Sequence, residues 1–490
     1  MTDIRIDTVT ELDTGADAVI LPCFEDPNPE IYGDIDTVIG GLIGRTIASR
    51  EFTGKQNQLT LIHVRNLNAA RLLLVGFGKE SLVSPEKLRQ AGGKALTLLR
   101  DIGAGKVALS TRLLQRITLA QPTARKPVYY FLEGGLLGLY LYERYKKPEE
   151  PKELKEVIVL CGGDPDLKWL RTTLSAVNFA RDLINTPSND MTPGVLAEAA
   201  KTLAWRKVKV TVLERRDAER EGMASYLSVA RGSEEPPKFI VLEYKGARKP
   251  PIALIGKSIT FDSGGISLKP AEGMEKMKYD MAGGAAVLGV IKAVSELALP
   301  VHVMAVLPST ENLPGGSASK PGDVVKTIAG KTIEIINTDA EGRLALADGI
   351  GYALRHARPA AVIDIATLTG ACSVALGNEA IAMMGTGEAL MDAIRKASEE
   401  TSERVWRMPL YDEYKEYIKS DVADLKNSGG KTGSLVTASY FLKECAGETP
   451  WVHLDIAGTA WNDKDKPYLP KGATGIGVRL LLHVLKEMLS

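Results

Sequence analysis

Short apolar runs recur along this chain, separated by helix-patterned stretches, and that alternation restricts the fold more than any other feature. Strands are predicted at Lys209 to Leu213, Phe239 to Glu243, Ile252 to Ile255, Val301 to Leu307, Thr332 to Ile336, Ala361 to Ile365 and Val452 to Ile456. Helices are predicted over Met281 to Leu297, Gly342 to Arg355 and Thr437 to Cys445. Strands that are apolar throughout are buried on both faces. The expected class is therefore α/β, with a mixed, largely parallel sheet covered by helices on both faces. Nearer the start, Ala18 to Leu21, Leu59 to Val64 and Arg71 to Val75 are strand-like, and Pro85 to Leu99 is helix-like. They indicate a second, smaller α/β unit, and 490 residues exceed what one core usually holds. The charged, proline-punctuated stretch Tyr145 to Glu153 reads as a surface connection. One more strand (Val157 to Cys161) and a helix over about 167–184, stopped by Asn185-Thr-Pro, follow it. The boundary is placed before that helix, giving an N-terminal domain 1–163 and a catalytic domain 164–490.

Charge and composition narrow the function. Lys+Arg and Asp+Glu are both 61, so no chain-wide field gathers nucleic acid or anionic lipid. Residues 1–40 hold ten acidic residues and one basic, while residues 41–128 hold fifteen basic and four acidic. The two parts are expected to neutralise each other within one domain. No charge-free apolar stretch is long enough for a membrane span, and no secretory signal is visible. Cys23, Cys161, Cys372 and Cys445 show no CxxC spacing. This argues against a disulfide framework and a thiolate zinc site, and for a cytoplasmic setting. HExxH and GxSxG are both missing, so any hydrolytic chemistry falls to carboxylates and lysines.

Two segments carry that chemistry. One runs from Gly256-Lys257 through Phe261-Asp262-Ser-Gly264-Gly265 to Lys269, and on to Asp280-Met-Ala-Gly283-Gly284. The other is Asn337-Thr-Asp339-Ala-Glu341-Gly342-Arg343. Each begins where a predicted strand ends, so both are expected on the ligand-binding edge of one sheet. Asp339 and Glu341, two residues apart, repel each other unless a cation lies between them. With Asp262 and Asp280 they make four carboxylates, which two divalent ions balance, and oxygen-rich ligation suits zinc, manganese or magnesium. The glycine pairs permit close backbone approach or positive φ. Arg343, in the first turn of a helix, poorly complements the dipole there and reads as placed for an anion.

These residues resemble the leucyl (cytosol) aminopeptidase family of hexameric two-metal exopeptidases. Asn337 to Leu344, NTDAEGRL, matches that family's signature. The likeness extends through Ala180 to Pro193, Lys257 to Gly284, Ala366-Thr-Leu-Thr-Gly370 and Asp421-Val-Ala-Asp-Leu-Lys. Ser188 departs from it, standing where a second proline is common. The resemblance implies that Asp262 and Glu341 bridge two zinc or manganese ions. Lys257 and Asp280 would complete one site, and Asp339 the other. It gives Lys269 the substrate carbonyl oxygen and Arg343 a bicarbonate that serves as base. Met277, Thr367, Leu368 and Gly370 would line the pocket for the first side chain. It further implies a macro-domain-like N-terminal domain for oligomerisation or regulation, a homohexamer, and leucine-like N-terminal residues of short peptides as substrates.

Two other readings compete. The basic stretch 41–128 suits a DNA-binding or regulatory oligomer, which zero net charge disfavours. Carboxylate clusters also serve two-metal phosphatases and nucleases, against which NTDAEGRL weighs. His453, in a strand, is expected to be a satisfied core residue, and Cys372 a small buried one.

Overall fold

The computed structural model describes residues 2–119, 125–146, 152–160 and 164–489. The chain forms two compact units, Met1–Leu174 with Asp463–Lys471, and Ser175–Asn462 with Gly472–Ser490. The first unit is built on β1 (Asp3–Asp7), β2 (Ala18–Cys23), β3 (Leu59–His63), β4 (Arg71–Gly76), β5 (Lys106–Ser110) and β6 (Glu156–Leu160). Their order is β1-β6-β5-β2-β4-β3, parallel except for the β3–β4 pair. β1 and β5 escape the sequence reading because Asp3-Ile-Arg-Ile-Asp alternates with charge and Lys106-Val-Ala-Leu-Ser is short. Cys161 and the middle of the expected connection, 147–151, lie outside the described residues. The acidic and basic parts do meet inside this unit. The Arg112 guanidinium lies 2.6 Å from Glu11 and 2.7 Å from Asp34, and Asp17 accepts backbone N–H groups of Gly105 and Lys106.

The second unit contains β7 (Val208–Leu213), β8 (Lys238–Lys245), β9 (Ile252–Gly256), β10 (Ser258–Asp262), β11 (His302–Asn312), β12 (Val324–Lys326), β13 (Thr332–Glu334), β14 (Ala361–Ala366), β15 (Ile381–Gly385), β16 (Val405–Arg407), β17 (Leu425–Lys426) and β18 (Trp451–Asp455). The main sheet runs β16-β15-β18-β14-β9-β11-β8-β7, with β10 beside β11. The centre, β18-β14-β9-β11, is parallel, and antiparallel pairs join β8 to β11 and β15 to β18. This is the expected mixed α/β class.

Three details differ from the expectation. Lys257 is a one-residue break, after which the chain continues as β10 rather than opening into a loop. β11 extends to Asn312 because its polar end pairs with β10, as in Ser309 with Ser258 and Asn312 with Asp262. Glu311 and Asn312 are therefore strand. The strand before the second acidic segment, β13, belongs to a separate small sheet, β12-β13-β17. Side-chain alternation alone carries no information on which sheet a three-residue strand joins.

The helix Glu341–Ala357 packs Leu344, Leu346 and Ile350 into a buried cluster with Ala253 and Ile255 of β9 and Val306 of β11. The helix Ala282–Glu296 is buried along nearly its whole length and also packs on β9, β11 and β14. A buried polar group ties β14 to β18. Asp364 accepts the Trp451 indole N–H at 2.6 Å and lies 2.5 Å from His453 Nδ1. His453 is fully buried, as expected of a core residue. Among the described residues, no helix is long and apolar enough to cross a membrane.

Candidate metal centre

Asp262 ends β10, where the backbone must turn sharply. Gly264 and Gly265 follow at φ +88° and +67°, a conformation that favours glycine. The turn lets the Gly264 N–H donate to Asp262 Oδ1 at 2.9 Å. The Asn312 amide donates to the same oxygen at 2.8 Å and to the Thr338 carbonyl at 3.0 Å, binding the first acidic segment to the second.

Asp280 is delivered by a 3₁₀ segment, Met274–Met281, that leads into the helix Ala282–Glu296. That helix start lies so close to the sheet that a Cβ on Gly283 would fall 2.0 Å from the Ile365 carbonyl oxygen. One on Gly284 would fall 2.0 Å from Ser258 Oγ. The glycine pair is what allows Asp280 to reach Lys257. Lys257 Nζ lies 2.7 Å from Asp280 Oδ2 and 2.8 Å from Glu341 Oε1, and donates to the Thr367 carbonyl at 3.0 Å. The Thr367 hydroxyl donates to Asp280 Oδ1 at 2.6 Å.

Asn427, fully buried, shapes the second segment. Its Oδ1 accepts the Ile336 N–H at 2.8 Å, and its Nδ2 donates to the Asn337 carbonyl at 2.7 Å. Glu341 is the first residue of its helix, and Arg343 donates from Nη1 to the Asn427 carbonyl at 2.7 Å. Arg343 Nε is buried with no hydrogen-bond partner among the described residues. Burial, partly offset by Glu341 and Asp455, pulls this guanidinium down to about 10.

All the expected ligand residues converge. One carboxylate oxygen each from Asp262, Asp280 and Glu341 lies within 4.8 Å of the others. Asp339, one-third exposed, joins them through Lys269, whose Nζ lies 2.8 Å from Asp262 Oδ2 and also contacts Asp339 Oδ1. Four carboxylates less two ammonium groups leave a formal excess of two negative charges. Burial raises the pKa of Asp280 well above the carboxylate range, and repulsion from Asp262 and Glu341 adds to it. Burial and Asp262 raise Glu341, and burial raises Asp339. Burial works against the charge on Lys257 and Lys269, but the surrounding carboxylates outweigh it and hold both above the ordinary lysine range. Glu341 Oε2 is buried without a hydrogen-bond partner. A buried, over-negative set of oxygen donors with an unsatisfied carboxylate oxygen fits divalent cations.

These groups line one cavity of about 400 Å³. Met277, Thr367, Leu368 and Gly370 line it too, as does Arg343. Asp455, fully buried, holds the Thr367–Gly370 turn in place, accepting the Leu368 N–H at 3.2 Å and the Thr369 hydroxyl at 2.8 Å. Cys372 is buried, and desolvation pushes its thiol up to about 12, which suits packing rather than nucleophilic attack. Asn312, Asn427 and Asp455 are the positioning residues that sequence reasoning missed. Asn427 directly follows the matched stretch Asp421 to Lys426, and Asp455 lies within the predicted strand Val452 to Ile456.

Comparison with known proteins agrees with this geometry. Residues 178–482 match the catalytic domain of the cytosol aminopeptidase family, and residues 20–149 match that family's N-terminal domain. A probable cytosol aminopeptidase of Geobacter sp. (strain M21) is 47% identical, over 99% of each chain. One from Geobacter sulfurreducens is 48% identical, over 96% of each. Among solved structures, the bottromycin maturation enzyme BotP in complex with Mn superposes with a TM-score of 0.87 at 32% identity, covering 97% of this chain and 100% of that one. A mutant tomato leucine aminopeptidase superposes with a TM-score of 0.88 at 31% identity, covering 99% of this chain and 97% of that one. With both domains matched and relatives this similar over nearly their full length, the chain belongs to the cytosol aminopeptidase family of metal-dependent aminopeptidases.

Proposed function

We propose that this aminopeptidase removes leucine and similar apolar residues from the N-termini of short peptides, using two divalent cations held by the carboxylate cluster. The observation that carries this reading is the convergence of buried Asp262, Asp280 and Glu341 within 4.8 Å of one another, with Asp339 alongside. Asp262 and Glu341 are the central pair and would contact both ions. Asp280 with Lys257 would complete one site, and Asp339 the other. Lys257 would serve there only as the free amine. Zinc or manganese suits this oxygen-rich set, and the structural relative BotP is described in complex with Mn. When bound, such ions supply Lewis acidity, lowering the pKa of a water and polarising the scissile carbonyl.

The chain's own residues do the rest. Lys269, held protonated, donates to the oxygen on which negative charge develops. Arg343, with its unpartnered Nε, is suited to a small anion such as bicarbonate, which would take the proton from the attacking water. The free amine of a peptide, in its neutral form, would be a further metal ligand, which would restrict cutting to the N-terminus. Met277, Leu368 and Gly370 offer an apolar wall for the first side chain. We further infer a homohexamer acting on peptides small enough to enter an enclosed site.

A panel of aminoacyl anilides tests specificity. Leucine and methionine anilides are expected to exceed aspartate and lysine anilides in kcat/KM by at least about tenfold, the scale of one side-chain pocket. N-acetyl-leucine anilide is expected to be inert. Equal turnover of the blocked substrate would contradict an N-terminal exopeptidase, and a flat panel would contradict the leucine preference.

A further inference from the structure

Lys431 stands apart from the other cations of the catalytic cavity. Lys257 and Lys269 are ion-paired with the carboxylates, and Arg343 is buried with one N–H on the Asn427 carbonyl. Lys431 also lines the cavity, yet it is exposed and has neither an ion pair nor a side-chain hydrogen bond among the described residues. It lies in the segment Ser428-Gly-Gly-Lys-Thr-Gly433, directly ahead of the helix Ser434–Ala446. Ser428 and Gly430 of this segment and Ser434, which opens the helix, line the same cavity, and the segment follows directly on Asn427, the residue that anchors Arg343. One wall of the cavity thus carries an unpaired positive charge.

The carboxylate carbon of a dipeptide lies only three bonds, roughly 4 Å of contour, beyond the scissile carbonyl carbon. A dipeptide cut here must therefore bring its carboxylate into this cavity, where Lys431 is the exposed cation without an ion pair among the described residues. We propose that Lys431 binds the free C-terminal carboxylate of dipeptide substrates, and so directs this aminopeptidase toward dipeptides rather than amidated or longer peptides. The inference rests on the aminopeptidase reading and adds a substrate class and the residue that selects it.

The test compares leucyl-glycine with leucyl-glycinamide, which differ only in the terminal charge. Wild-type protein is expected to favour the free acid by roughly twofold to fivefold in kcat/KM, chiefly through KM, as an exposed ion pair gives. The ratio should shrink as salt is raised. In Lys431→Ala it should fall to near one, and in Lys431→Glu the amide should become the better substrate. The ratio is read within each variant, so a general loss of activity does not mimic the effect. Both substrates cleaved with the same ratio in wild type and Lys431→Ala, or a wild type that prefers the amide, would overturn the role of Lys431 and leave the aminopeptidase reading intact. Cleavage of neither substrate by wild-type protein would overturn both.

Discussion

Glu341→Gln will lower kcat for leucine anilide roughly a thousandfold, about 4 kcal/mol of transition-state stabilisation, while the protein stays folded. The substitution keeps the shape of a side chain that is 2% exposed and removes its charge from the centre of the cluster. Glu341 stands beside Asp262 and Asp280 and pairs with Lys257, and with Asp262 it is one of the two residues proposed to contact both ions. The stability consequence has the opposite sign. Burial and the Asp262 charge hold the Glu341 pKa above its ordinary value. The folded state therefore binds its proton more tightly than the unfolded chain, and the ionised side chain costs stability as pH rises past the unfolded value. Glutamine removes that cost. After chelation, the Tm of Glu341→Gln is expected to equal or exceed that of wild type, whereas added zinc should raise the wild-type Tm more. A variant that keeps its activity, or one that loses it by unfolding, would count against the assigned role.

Lys269→Ala is expected to reduce kcat by about a hundredfold to a thousandfold with a much smaller change in KM, the pattern of a donor whose interaction strengthens in the transition state. Its Nζ sits at the cluster between Asp262 and Asp339, and those charges with Glu341 keep it protonated despite partial burial. A rise in KM with kcat preserved would make Lys269 a binding group only.

The chemistry was legible in the sequence because it sits in contiguous words. Asp262 with its glycine pair and the run Asn337 to Arg343 mark, through local spacing, the loops that the structure brings together. The supports were not legible, because each acts across a long separation. Asn312 braces Asp262 from fifty residues away, Asn427 organises Asn337 from ninety, and Asp455 holds Leu368 from eighty-seven. A buried asparagine or aspartate in a strand end has no sequence pattern that distinguishes it from a turn former. The fold class followed from alternation of strand and helix, but β10 was hidden because its polar residues, Ser258 and Thr260, satisfy themselves on neighbouring carbonyls. Asp463–Lys471 joins the first unit from the far end of the chain, a return that local patterning cannot signal.

The central claim is tested most directly by titrating zinc or manganese back into chelator-treated protein while following both bound metal and leucine anilide hydrolysis. Activity negligible before addition, and complete only when two equivalents per chain are bound, is the predicted result. Full activity in metal-stripped protein, or a plateau at a single bound ion, would contradict it.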